Sequence, residues 1–528
     1  MPLRLVLTLL LWLAAAFPAM AQAPAVEPSV ITAQASLDER IDGWFRPLAD
    51  SVSAVIFMAV RIGGTDEAPV TFPLILGWLM LAGVFLTVYF KFINVTGFAH
   101  GFRLIRGDYS DPESPGEVSH FQALTSAMSG TVGLGNIAGV AVALSLGGAG
   151  ATFWMILAGL LGMSTKFVEC TLGVRYRLEN ADGTVSGGPM YYLSRGIAEN
   201  YPRLKGVGLT LAALFAVCVV LGAVGSGAMF QANQAFAQFY EVTGGAEGPL
   251  AGRGWMFGVF IAVLTGAVSL GGITRIGRVT ASLVPGMAIL YAVCCVVIIG
   301  ANLGQVPAAF GAILDGAFTA EGIQGGVLGA LIQGFRRAAF SNEAGLGSAA
   351  IAHSTVRTRE PVTEGFVALW EPFIDTVVIC TMTALVIIIS GQLTALQGSS
   401  VNGTAQGVQL TSQAFATVSP WFPYLLTVVV FLFAYSTMIT WAYYGAKAAG
   451  YLTGESRWVQ VLFNLVFMAM AVIGCTMSLG SLVDFADSVL FLMAIPNLIG
   501  VYLLLPVVKR ELASYRARLA SGEIRPTR

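Results

Sequence analysis

Ser129-Gly130-Thr131-Val132-Gly133-Leu134-Gly135-Asn136 has a second version in Ser341-Asn342-Glu343-Ala344-Gly345-Leu346-Gly347-Ser348, and both sit near the middle of long apolar segments. Glycine costs about 1 kcal/mol relative to alanine inside a helix. Two glycines set close together among Ser, Thr and Asn therefore make a turn easy to unwind. Unwound backbone at membrane depth survives only where it lines a cavity or is buried in protein, and there it offers free N–H groups to an anion and free C=O groups to a cation. The competing reading is a pair of small-residue helix-packing patches.

The setting of these stretches is a membrane protein. Of 528 residues, 56% are hydrophobic and 11% charged, against roughly a quarter charged in soluble domains. The 62 glycines fall inside apolar stretches, which marks them as packing residues and not as disorder. A formal net charge of -1 points to no nucleic acid partner. Cys170, Cys218, Cys294, Cys295, Cys380 and Cys475 lie in apolar stretches without CxxC spacing, as buried small side chains do.

At the N-terminus, Arg4, the apolar run Leu5 to Ala19 and the stretch Ala21-Gln22-Ala23 have the layout of a signal peptide over residues 1–23, with cleavage expected after Ala23. An uncleaved extra helix is the alternative. Either way residues 24–71 are expected to be exported, with an amphipathic stretch from Ile41 to Ile62 lying on the membrane surface or re-entering it.

Hydropathy predicts an all-α membrane protein with about eleven spans, at 72–91, 119–146, 151–174, 208–238, 254–272, 279–303, 323–352, 363–391, 421–446, 458–479 and 485–508. One set of alternate loops, with the C-terminal tail 509–528, holds twenty Lys and Arg, from Lys91 to Arg528; the other set holds Arg253 alone. The positive-inside rule puts the first set, and the C-terminus, in the cytoplasm of a bacterial cell with the protein in its inner membrane.

Five spans separate the two Gly-Leu-Gly runs, so they cross in opposite directions. That divides the chain into an extra helix at 72–91 and two inverted five-helix halves, 119–303 and 323–508, within a domain covering 72–508. Corresponding interruptions in inverted halves predict a transporter whose binding site lies at the midplane.

Beyond this, the chain resembles the alanine or glycine:cation symporter family, also called sodium:alanine symporters, within the superfamily having the LeuT fold. The resemblance covers nearly everything after residue 70. Its most specific piece is Gly147-Gly148-Ala149-Gly150-Ala151-Thr152-Phe153-Trp154-Met155, followed by Ile156 where the family usually has an aromatic. Further pieces are Gly187-Gly188-Pro189-Met190-Tyr191-Tyr192, Gln231-Ala232-Asn233, Phe335 to Gly345, and Tyr435-Ser436-Thr437 with Trp441.

The resemblance implies a LeuT-like 5+5 inverted repeat and sodium-coupled symport of alanine or glycine. The substrate carboxylate would be received by backbone amides at Gly133, Leu134 and Gly135, which suits an anion without a buried cationic side chain. A coupling Na⁺ would be held by the carbonyls of Ser129, Val132 and Phe433 with the hydroxyls of Ser436 and Thr437, hard oxygen donors suited to that ion. Gln231, Phe340, Ser341, Asn342, Thr437 and Trp441 would complete the pocket, its two aromatics limiting substrate volume. Self-satisfied hydroxyls for Ser436 and Thr437, and core or lipid-interface packing for Trp441, are the plainer alternatives.

Several ionisable residues also fall within spans: Lys166, Glu169, Arg336, Arg337, Glu343, Glu371 and Asp375. Each costs at least about 2.5 kcal/mol unless paired or hydrated. They are expected to form gating or structural ion pairs, with Glu371 and Asp375 seeking Arg336, Arg337 or Na⁺, and Glu343 able to brace the unwound turn. Asp484 and Asp487 are expected to be solvated at the outer edge of the last span. His100, His120 and His353 lie near span ends or in loops, and no nucleophile with its base and no metal cluster is visible. A proton-coupled symporter is the same-class alternative, and a channel or membrane enzyme the different-class one. The sequence carries no sign of an oligomeric state.

Overall fold

A computed structural model of the protein describes residues 47, 50–64, 69–111, 113–180, 183–318, 326–397 and 406–526. The expected signal peptide lies outside them. The main helices are α1 (Leu74–Tyr89), α2a (His120–Thr131) and α2b (Gly135–Gly147), α3 (Ala151–Arg175), α4 (Pro202–Val242), α5 (Gly254–Ser269) and α6 (Gly272–Ala301). They continue as α7a (Gly326–Asn342) and α7b (Ala349–His353), α8 (Pro361–Ile389), α9 (Phe422–Leu452), α10 (Arg457–Gly474) and α11 (Leu479–Ala520).

Seven of these are long and apolar enough to cross a bilayer, and α2a with α2b, bent by 51°, makes an eighth. The difference from the eleven spans read from hydropathy lies in α1, α5 and the divided α7, which are too short to qualify alone. The protein is an all-α, multi-pass membrane protein around one large apolar core with three smaller clusters beside it.

Local sequence explains where the elements begin and stop. Ser119 caps α2a reciprocally with Gln122: the Ser119 hydroxyl accepts from the Gln122 amide at 3.2 Å, and the Gln122 side chain accepts from the Ser119 amide at 3.1 Å. Pro361 starts α8, where its missing N–H costs nothing.

The two Gly-Leu-Gly runs break their helices differently. At the first, the chain leaves the α conformation only at Val132 and Gly133 and re-enters through a π turn at Gly135–Gly139. At the second, Glu343, Gly345 and Gly347 all have positive φ, of 56°, 91° and 80°, and helix resumes at Ala349. Glycine adopts that conformation freely, whereas Glu343 must be held in it.

Three features depart from the expectation. Within the amphipathic stretch 41–62, of which residues 47 and 50–62 are described, residues 50–56 are helical, and β1 (Ala59–Gly64) pairs antiparallel with β2 (Pro69–Pro73). A second small hairpin joins β3 (Leu178–Glu179) to β4 (Val185–Ser186). Helices at Val306–Phe318 and Val408–Ala416 occupy segments read as loops. All six cysteines are free and buried.

Candidate functional site

The first break faces α4 and α9. A Cβ on Gly133 would stand 2.3 Å from Thr437 Oγ1 and 3.2 Å from Gln231 Oε1, so only glycine lets α9 and α4 approach the unwound turn this closely. Gln231 Oε1 accepts from the Leu134 amide at 3.0 Å while its Nε2 donates to Ser226 O at 3.2 Å. The Gly133 amide donates to Asn136 Oδ1 at 2.9 Å. One glutamine and one asparagine thus satisfy backbone that the missing helical turn leaves free. Gly135 packs on Ser341, whose Cα a Cβ would approach to 3.2 Å, bringing the two breaks together.

On the other side of the turn, Ser129 Oγ donates to Ser436 O at 2.7 Å, and Ser436 Oγ donates to Phe433 O at 3.0 Å. Val132 is fully buried, its amide on Met128 O at 2.7 Å. Thr437 Oγ1 is buried with no hydrogen-bond partner, which costs about 1–3 kcal/mol for a group that could pair. Ser129, Ser436 and Phe433 are thus linked to one another, with Thr437 next in the chain and its hydroxyl unpartnered. Donating to Phe433 leaves the Ser436 lone pairs free to ligate.

Asp375 sits behind the first break, fully buried. Its carboxylate accepts from Asn136 Nδ2 at 2.7 Å, Ser341 Oγ at 2.9 Å and Thr376 Oγ1 at 2.7 Å. Asn342 reaches the same cluster through Thr376 Oγ1 at 2.9 Å. All of these donors are neutral, and a buried charge is costly until a cation is near. Asn136 and Thr376 were not singled out in the sequence, although Asn136 closes the Gly-Leu-Gly run.

Three π-helical stretches border the site: Gly135–Gly139 holds Asn136, Ala223–Phe230 ends one residue before Gln231, and Phe373–Cys380 holds Asp375. Such turns shift the facing of every residue after them and recur at functional sites. Phe340 packs edge-on to Phe230, centroids 5.1 Å apart, an aromatic partner the sequence reading missed. Trp441 is 1% exposed; its ring packs beside Gly227 and its Nε1 donates to Glu343 Oε1 at 3.1 Å.

The ionisable residues pair otherwise than expected. Glu371 takes Lys166 Nζ at 3.0 Å and faces His353 Nε2 at 3.4 Å, not Arg336 or Arg337. Those arginines turn instead to α11: Arg336 pairs with Asp484 at 3.1 Å and with Asp487 at 2.5 Å, and Arg337 also pairs with Asp487. Asp487 is fully buried, which corrects its placement as a solvated residue; two guanidiniums offset its desolvation. Glu343, at the second break, takes the Ser348 hydroxyl as well as Trp441, which holds its strained backbone. Glu169 accepts from Asn497 Nδ2 at 2.5 Å, and the same amide reaches Gly345 O at 2.8 Å. His120 and His353 stand at helix ends, as expected, and both bond Glu364, which the sequence reading passed over. Glu364, Glu371 and Asp375 recur at spacings of seven and four, a periodicity that could have drawn attention to Glu364.

A multi-pass helical protein with two broken helices meeting at a buried, mostly neutral polar site is built as a transporter and not as an enzyme. Residues 58–527 match the sodium:alanine symporter family, and the chain belongs to that family. It is 38% identical over 457 residues to the sodium/alanine symporter AgcS of Methanococcus maripaludis, covering 86% of this chain and 97% of that one. It is 33% identical over 447 residues to the probable sodium/glutamine symporter GlnT of Bacillus subtilis, covering 84% and 88%. Among solved structures, MhsT in complex with L-phenylalanine aligns with a TM-score of 0.49 at 16% identity, over 71% of this chain and 87% of that one.

Proposed function

We propose that this protein imports alanine and glycine across a bacterial inner membrane by sodium-coupled symport, with its C-terminus in the cytoplasm and the substrate held between the two breaks. The observation that carries this reading is the Thr437 hydroxyl, buried without a partner against Gly133 where the helix is unwound. Sodium is bound by that hydroxyl together with Ser436 and the carbonyls of Ser129, Val132 and Phe433, as hard oxygen ligands suit it. The substrate carboxylate replaces Gln231 on the Leu134 amide and joins the backbone of Gly133 and Gly135. Asp375, surrounded by neutral donors, is the counter-charge for positive charge arriving in the pocket, the substrate ammonium included.

Phe340, backed by Phe230, and Trp441 limit the side chain to that of a small neutral amino acid. Arg336 and Arg337 with Asp487 close the outer side, and Lys166, Glu169, Glu343 and Glu371 brace the helices around the second break.

Reconstituted protein should take up alanine under an inward sodium gradient at fixed pH and voltage. Uptake indifferent to sodium and driven by a pH gradient would overturn the coupling. Gln231→Ala and Thr437→Ala should each weaken sodium-dependent alanine binding; if both leave it intact, the pocket is elsewhere.

A further inference from the structure

Two of the three histidines meet on one carboxylate. His120 Nδ1 lies 2.6 Å from Glu364 Oε2 and His353 Nδ1 lies 2.6 Å from Glu364 Oε1, all three side chains being at most 5% exposed. His120 opens α2a and His353 ends α7b. Glu364 on α8 thus fastens one half of each broken helix, on the side of the molecule where Ser119 is exposed one residue before His120. The same face is reinforced by Arg177, which donates to the carbonyls of Ser354, Val356, Thr358 and Pro115, and by pairing of Val118 with Val356.

The geometry also counts protons. His353 Nε2 faces Glu371 Oε2 at 3.4 Å, so both ring nitrogens point at carboxylate oxygens. A neutral imidazole has one N–H and an ionised carboxylate only accepts. A ring protonated on both nitrogens is the form that donates to both, so this arrangement favours one more proton on His353, Glu364 and Glu371 than a neutral ring and two carboxylates would carry. From α3, Lys166, Glu169 and Cys170 face the unit; from α9, Tyr444; from the second break, Glu343; and Arg177 lies beyond Glu364. Lys166 is already engaged by Glu371 at 3.0 Å.

We propose that His353, with Glu364, Glu371 and His120, is a cytoplasmic proton site that latches the inner ends of both broken helices and must release its proton for the site to open inward. On opening, the ring leaves its two carboxylates, one N–H bond breaks with its electron pair staying on nitrogen, and the proton passes to cytoplasmic water. A free imidazole has a pKa of about 6.5, and the carboxylates of the closed latch favour the protonated ring. Protonation thus favours the closed form fully below the free imidazole's pKa, and this is lost as pH rises through the higher pKa of the closed latch. The sidedness rests on the orientation proposed above.

The test is sodium-driven alanine uptake into proteoliposomes at constant outer pH and clamped voltage, with inner pH varied from about 6 to 9, because the free imidazole titrates near 6.5 and the closed latch holds the ring's pKa above that. Uptake should accelerate as the interior becomes alkaline, by up to about tenfold per pH unit, the limit for one proton. His353→Gln, a neutral residue of similar reach, should flatten the profile. Sodium-driven uptake by the natural protein that is flat in inner pH would overturn the latch whatever the variants do, as would His353→Gln keeping the natural profile. Uptake that ignores sodium yet keeps the inner-pH dependence and its loss in His353→Gln would overturn the proposed function and leave the latch standing.

Discussion

Thr437 and Asp375 show how single residues divide the work of the site. The Thr437 hydroxyl lacks a partner in a region where nearly every other polar atom has one. Removing it should relieve that cost while weakening cation binding. Thr437→Val should therefore raise the sodium concentration needed for half-maximal alanine binding by about tenfold, equivalent to about 1.4 kcal/mol, with no loss of thermal stability in detergent; an unchanged sodium requirement would count against its role. Asp375 is the opposite case, a charge held by neutral donors only. Asp375→Asn keeps the size and removes the charge, and alanine binding should fall far more than the melting temperature. Lys166 belongs to structure. Losing one partner of a buried ion pair costs about 3–5 kcal/mol, so Lys166→Met should lower the apparent melting temperature sharply, and Lys166→Met with Glu371→Gln should recover part of the loss.

At the level of elements, the two breaks are built from the same Gly-Leu-Gly core with different conformations. The first needs glycine for close approach, since Thr437 leaves no space for a Cβ at Gly133. The second needs it for positive φ at Gly345 and Gly347, with Glu343 held there by Trp441 and Ser348. Gly133→Ala should therefore abolish sodium-dependent binding, and Gly133→Ala combined with Thr437→Ala, which vacates the space around Oγ1, should not restore the sodium requirement. Recovery of normal sodium dependence in the double variant would mean that the space alone mattered.

At the scale of the whole molecule, the segment before α1 lies over the proposed outer closure. The Arg336 guanidinium stands 4.4 Å from the Phe57 ring, Phe57 meets Phe491 edge-on at 5.5 Å, and Arg336 pairs with Asp484 and Asp487 on α11. The family match begins at residue 58, one residue later. A cation over a half-buried aromatic contributes about 1 kcal/mol, so Phe57→Ala should speed outward opening by a few-fold. A cysteine placed at Ser341 would become more reactive to an external thiol reagent, and unchanged reactivity would show that Phe57 does not help to close the pathway.

Apolar run length, glycine placement and the paired Gly-Leu-Gly cores, read from the sequence alone, determined that this is an all-α membrane protein with two interrupted helices, because a bilayer dictates helix and forbids unsatisfied backbone except at a site. The clustering of Ser129, Ser436 and Thr437 was legible as a resemblance. The partners of the ionisable residues were not legible. Which carboxylate meets Lys166, why Asp487 is buried, and how His120 and His353, 233 positions apart by their numbers, share Glu364 depend on how α2a, α3, α7a, α7b, α8 and α11 pack. Charge pairing acts over a few ångströms and is indifferent to sequence distance, so only the tertiary structure decides it.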